Sequence, residues 1–285
     1  MSFIIPLLSK IYIAIINIFL RICSYFAKAE RYDYVFIWDV VEVTGISLTI
    51  NEMLMKRFPS FDPAGHLLDY LVECVLSFAN FDTENEEESV EGYVSNIEET
   101  VNAKIAIMKM MAPKYDALRK LYNEISDGLK YDNSIINQNL IRKCGMIEYK
   151  EDIFDAARQH QSLLSQLWRR VNRCLKLVNE KSQKKMANVV INTSGVAHAI
   201  SQLLVAGQSA QIPIENIYSA AYSSEEEIIM EIQQRFGKKC QFVIVSSFSE
   251  TKRIAQKLNI PVMEVHRVDA GFDRVANLVR HYQQQ

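Results

Sequence analysis

The hydrophobic rhythm of the chain changes three times. Residues 1–29 carry no acid, three cations (Lys10, Arg21, Lys28) and an uncharged, mostly apolar run over 11–20. Next comes a short run of aromatic and β-branched residues, Tyr34-Val-Phe-Ile-Trp38, closed by Asp39. Such a run suits a parallel strand covered on both faces. From Ser47 to about Lys184 apolar residues recur at spacings of three and four, over 66–78, 105–125 and 153–178, which predicts helices. An acidic, turn-prone stretch at 82–91 separates two of them as a solvated loop.

At Asn188 the texture changes again. Strand-like runs at 189–191, 242–245 and 260–265 alternate with helical stretches at 196–205, 225–236, 250–258 and 272–282. Alternation of this kind predicts a doubly wound α/β fold with a parallel sheet. The first strand lies far upstream of the other three. The economical organisation is therefore a hydrophobic N-terminal extension (1–30), an α/β core (31–46 and 186–285), and a helical cap domain (47–185) inserted after the first strand. Ligands in such sheets bind at the carboxyl ends of the strands, which directs attention to Asp39, Asn192, Thr193, Ser246 and Ser247.

Composition narrows the picture. With 285 residues, 49% hydrophobic and 23% charged, the chain is neither disordered nor collagen-like and is long enough to bury a large core. A formal charge of -2 disfavours direct nucleic-acid binding, which normally requires a Lys/Arg excess. The five cysteines are scattered without a C-x-x-C, so neither a disulfide framework nor a zinc site is signalled. The N-terminal extension admits three readings: a membrane anchor or signal, an amphipathic helix packed on the domain, or an atypical start. Its uncharged core is shorter than the roughly 18 to 20 residues of a spanning helix, although Lys10 and Arg21 can snorkel.

Several motifs carry a resemblance to a known family. They are Phe36-Ile-Trp-Asp39, Phe81-x-Thr-Glu84, the stretch from Tyr115 to Tyr122-Asn123, Pro213-Ile-Glu-Asn-Ile-Tyr-Ser-Ala220, Arg235-Phe-Gly237, the run at 242–245, and Leu258-Asn-Ile-Pro261. In this order they resemble the C-terminal domain of the Eyes absent family, within the haloacid-dehalogenase-like aspartyl phosphatases, from about residue 32 to 280. The resemblance implies a Rossmann-like core with a large helical-bundle insertion and a magnesium-dependent protein tyrosine phosphatase. It also implies a developmental transcriptional coactivator, found in nucleus and cytoplasm, that reaches DNA only through a Sine oculis-type homeodomain factor bound by the helical cap.

The resemblance carries over to single residues unevenly. The family's first strand ends in W-D-L-D-E-T, the first Asp attacking phosphorus and the second serving as general acid and base, both around Mg2+. Here the stretch is Trp38-Asp39-Val40-Val41-Glu42-Val43. Asp39 matches the nucleophile and a metal ligand. Val41 takes the place of the general acid and cannot donate a proton, and Glu42 is adjacent and expected to face away. In an extended loop, residues two apart point the same way, which is the expected relation of positions 39 and 41. Asn192 and Thr193, with Ser194, match the phosphate-holding hydroxyls after the second strand. The family's lysine falls at Tyr222 or Glu225, and Glu225 would repel an anion. The metal-binding Asp of the family's G-D-G falls at Ser247, and Glu250 is the nearest acid.

Losing a general acid alone costs on the order of 10² to 10⁴ in rate, and losing lysine and metal removes the electrostatics that dominate phosphoryl transfer. The expectation is a catalytically impaired domain, a pseudophosphatase that works as a protein-interaction module. The family's N-terminal transactivation region is not found ahead of the domain, which weakens coactivation as its role. The alternative is an active magnesium-dependent tyrosine phosphatase using Asp39. Asp39 also has a purely structural reading, a strand-end cap. A third possibility, a membrane-tethered scaffold, rests on contact of residues 1–29 with a bilayer. The five histidines show no ligand spacing, and His198 is expected to be packed or at the surface. The methionines at 108–111 and Trp168 are expected in the core. Arg169, Arg170, Arg173 and Lys176, with the lysines at 181–185, form a basic helix end that suits a solvated face.

Overall fold

The computed structural model describes residues 31–44, 71–79, 101–129, 138–145, 169–193, 195–221, 223–265 and 271–284. Outside them lie the N-terminal extension, the acidic stretch at 82–91, Trp168, Ser194, Tyr222, His66, His160 and His266, together with the side chains of Glu42 and Met108.

Strand β1 (Tyr34–Asp39) runs directly into a single helical turn, α1 (Val40–Thr44). Helical segments follow at 71–78 (α2), Val101–Leu129 (α3), Gln138–Lys143 (α4) and 169–179 (α5). Then come β2 (Met186–Asn192), α6 (Val196–Val205), β3 (Ile217–Ser219), α7 (Glu225–Phe236), β4 (Gln241–Ser246), α8 (Ser249–Lys257), β5 (Val262–Glu264) and α9 (Gly271–Gln283). The five strands form one parallel sheet in the order β3-β2-β1-β4-β5. The α/β class with a parallel sheet is as the alternation predicted. Strand β1 is central, pairing Tyr34 with Met186 of β2 and with Gln241 of β4.

The apolar character of β1 follows from burial on both faces. Tyr34, Phe36 and Trp38 point to one side and join a core with Leu118, Leu121 and Ile125 of α3, Leu175 of α5, Ile200 and Leu203 of α6, and Phe272 and Val275 of α9. Val35 and Ile37 point to the other side, against Ile228, Ile229 and Ile232 of α7 and Ile254 of α8. Helix α7 starts at a capping box: Glu227 donates its N–H to the Ser224 hydroxyl at 3.2 Å, and Ser224 donates its own to the Glu227 carboxylate at 3.0 Å. It stops at Gly237, whose φ of 87° would strain a side-chain-bearing residue.

Two elements differ from expectation. Strand β3 was not visible in the pattern, because Ile217-Tyr218-Ser219 is too short to show a period, yet it pairs Val190 with Ile217 and Asn192 with Ser219. Helix α1 replaces the expected extended loop after Asp39. Among the methionines at 108–111, Met111 is buried as expected, whereas Met110 is exposed. Arg169, Arg173 and Lys176 are exposed along α5, as a solvated face requires, and Arg170 lies 3.7 Å from Asp273. No helix among the described residues is long and apolar enough to cross a membrane.

Candidate functional site at the strand carboxyl ends

The sheet changes direction of growth at β1, so the crevice above the carboxyl ends of β1 and β4 is where an open α/β sheet takes its ligand. Register brings the expected residues to that edge. Asp39 stands opposite Ile191, one residue before Asn192; Asn192 pairs with Ser219; and Trp38 pairs with Val245, the residue before Ser246.

Each of these side chains turns back on its own loop. Asp39, half-buried, accepts the N–H of Val41 at 2.8 Å, which is the bond an N-cap residue makes to the second residue of the helix it opens. Ser219 accepts from the N–H of Ala221 at 3.2 Å, and Ser246 accepts from the N–H of Phe248 at 3.1 Å. Asn192 donates through Nδ2 to the carbonyl of Gly195 at 3.4 Å. The local reason is shared: a short polar side chain at a strand end can satisfy the first N–H or C=O that leaves the ladder.

Position 41 therefore meets Asp39 through the backbone, not through an extended loop with two side chains side by side. The Val41 side chain is partly buried against the main core. Thr193 is exposed, and Gly195, the N-cap of α6, offers no side chain to the first-turn N–H groups of that helix. Thr193 and this helix start are suited to meet an anion.

Among the described residues, acids at the edge are Glu225, Glu250 and Glu264, of which Glu250 pairs with Arg253 and Glu264 with Lys252. Glu225 opens α7, is half-buried, and is hydrogen-bonded to Thr251 of α8. Burial, and to a lesser degree the nearby Glu250, push its carboxyl above the usual range, despite the opposing Thr251 bond. Glu250 itself is fully exposed and bonded to Arg253 at 2.6 and 3.0 Å, which holds its carboxyl below the usual range. Ser247 is half-buried and neutral.

The magnesium that the resemblance implies finds a poor donor set here. Asp39 can offer a carboxylate oxygen, but Ser247 offers none and Glu250 is committed to Arg253. Among the described residues, no group of three or more His, Cys, Asp or Glu is placed to hold a metal ion. The described residues do not fit the ion.

Sequence reasoning missed the polar seam beneath this edge. Asn188, fully buried in β2, accepts from Trp38 Nε1 at 3.0 Å and donates through Nδ2 to the carbonyl of Leu175 in α5 at 3.0 Å. Asn216 donates to the Asn188 carbonyl at 2.9 Å, and the Tyr122 hydroxyl of α3 donates to the Ile212 carbonyl at 2.7 Å. An Asn inside an apolar strand was the available signal, since a buried amide must be bonded.

No family model matches the chain. It is 33% identical over 257 residues, 82% of its length, to "Protein phosphatase eya-1" of Caenorhabditis elegans, of which it covers 50%. It is 27% identical over 192 residues, 67% of its length, to "Protein phosphatase EYA2" of Homo sapiens, of which it covers 33%. A shorter match, 28% over 93 residues and 33% of the chain, reaches "Protein phosphatase eya" of Drosophila melanogaster, of which it covers 12%. The chain thus spans half or less of the length of these relatives.

Proposed function

The chain belongs to the Eyes absent family as a divergent member, and we propose that it is a protein-interaction module on a phosphatase scaffold that has lost most of its chemistry. The observation that carries this reading is the electrostatics of the strand carboxyl ends. Asp39 occupies the nucleophile's place, but it caps α1, Val41 packs into the core, Ser247 is neutral, and a half-buried Glu225 stands near where the family's lysine falls. A phosphoryl group gathers negative charge in its transition state, so the half-buried Glu225 opposes it.

The partner of such a module, by family resemblance, is a Sine oculis-type homeodomain factor held by a helix in an apolar groove of the cap, with action in nucleus and cytoplasm. The competing reading is an active tyrosine phosphatase using Asp39. It is favoured by similarity to proteins named as phosphatases over 82% of the chain.

Hydrolysis of an aryl phosphate, with and without added magnesium, separates the two. The wild type and Asp39→Asn are expected to be equally inactive, with measurable turnover appearing only in the Val41→Asp, Ser247→Asp variant. Turnover in the wild type that Asp39→Asn abolishes would overturn the module reading. Capture of a purified Sine oculis-type domain by the inactive wild type then tests the partner.

A further inference from the structure

A groove of about 860 Å³ opens on the side of the molecule opposite the strand carboxyl ends. It runs past the start of β2 at Met186, between the last turns of α3, the link from α5 to β2, and the turns that precede β3. None of the strand-end residues considered above lines it.

Its floor holds an unsatisfied hydroxyl. Ser209 lines the groove, is 2% exposed, and its Oγ has no hydrogen-bond partner. Beside it Gln208 is 0% exposed, with both amide atoms unpartnered. A buried polar atom left without a partner costs about 1 to 3 kcal/mol, so the Ser209 hydroxyl, which lines the groove, is what a ligand or ordered water would satisfy.

The walls carry both signs. Lys181, Lys184 and Lys185 lie along the link, while Asp127, Glu180 and Glu215 complete the lining. A purely anionic or purely cationic ligand would gain at one wall and lose at another. Lys181, Lys184 and Glu215 take part in no ion pair among the described residues, so their charges are available. The volume lies within the range of ordinary ligand pockets, and a hydroxyl that can both donate and accept matches a peptide amide.

We propose that this groove binds a short peptide segment carrying one acidic and one basic side chain. The acidic group meets Lys181 and Lys184, the basic group meets Glu215, and a backbone amide reaches Ser209. The site lies apart from the strand-end residues.

The test is an amide-resolved NMR titration of the full chain with three capped tetrapeptides: Glu-Gly-Gly-Lys, an all-Glu and an all-Lys peptide. The mixed peptide is expected to give saturable shifts around Ser209 and the link, and to bind about tenfold more weakly to Ser209→Ala. The Lys181→Glu, Lys184→Glu variant is expected to lose the mixed peptide and gain the all-Lys one, which also reports that it is folded. Equal responses to all three peptides, no response to any, or unchanged binding in the variants would overturn the proposal.

Discussion

The carboxyl ends of the strands and the seam beneath them use hydrogen bonds in opposite ways. At the edge, Asp39, Ser219 and Ser246 each bond two residues onward, and Asn192 bonds three residues onward. In the seam, Trp38 meets Asn188 across 150 residues and Tyr122 meets Ile212 across 90. The edge shapes loops and can exchange residues cheaply, whereas the seam ties inserted helices to the sheet. The printed bonds of the edge are local in sequence, and those of the seam reach across the chain.

The comparison is sharpest at Asn188. Asn188→Ala would leave the Trp38 indole N–H unpartnered inside the core and remove the amide's bonds to the Leu175 carbonyl and the Asn179 side chain, an expected loss of about 3 kcal/mol. Urea unfolding should show it as a lower midpoint with unchanged slope. Tyr122→Phe orphans only the Ile212 carbonyl and should cost about 1.5 kcal/mol by the same measurement.

Edge substitutions should be milder. Asp39→Ala removes the cap of α1 and should cost about 1 kcal/mol, whereas Asp39→Asn keeps an acceptor and should stay within about 0.5 kcal/mol. If Asn costs as much as Ala, the charge of Asp39 matters beyond capping and the contrast between the two regions weakens.

The smallest effect is expected at Glu225 and lies in pH dependence. Its carboxyl holds a proton more tightly folded than unfolded, so its ionisation lowers stability as pH rises from the ordinary carboxylate range through the raised folded value. Glu225→Gln should flatten that slope. Thermal melts of both proteins across the acidic to neutral range check it, and an unchanged slope would place the pH sensitivity elsewhere.

Legibility followed the range of the interactions. The all-apolar run of β1 announced burial on two faces, and the helical stretch read at 225–236 is α7. Strand β3 escaped because three residues show no period and its place is fixed only by pairing with β2. The helical turn after Asp39 escaped because Val40 and Val41 have the composition of a strand, and the Asp39 cap overrides that preference.

What the sequence by itself determined is which segments could be strands or two-faced helices, and which residues stand at the strand ends. Periodicity and residue identity are local properties, readable without coordinates. Tertiary structure decided who meets whom: Asn188 under Trp38, Glu225 beside Thr251 and Glu250, and Ser209 buried at the floor of a groove. Those meetings depend on strand register and on the packing of helices far apart in the chain, which no local pattern specifies.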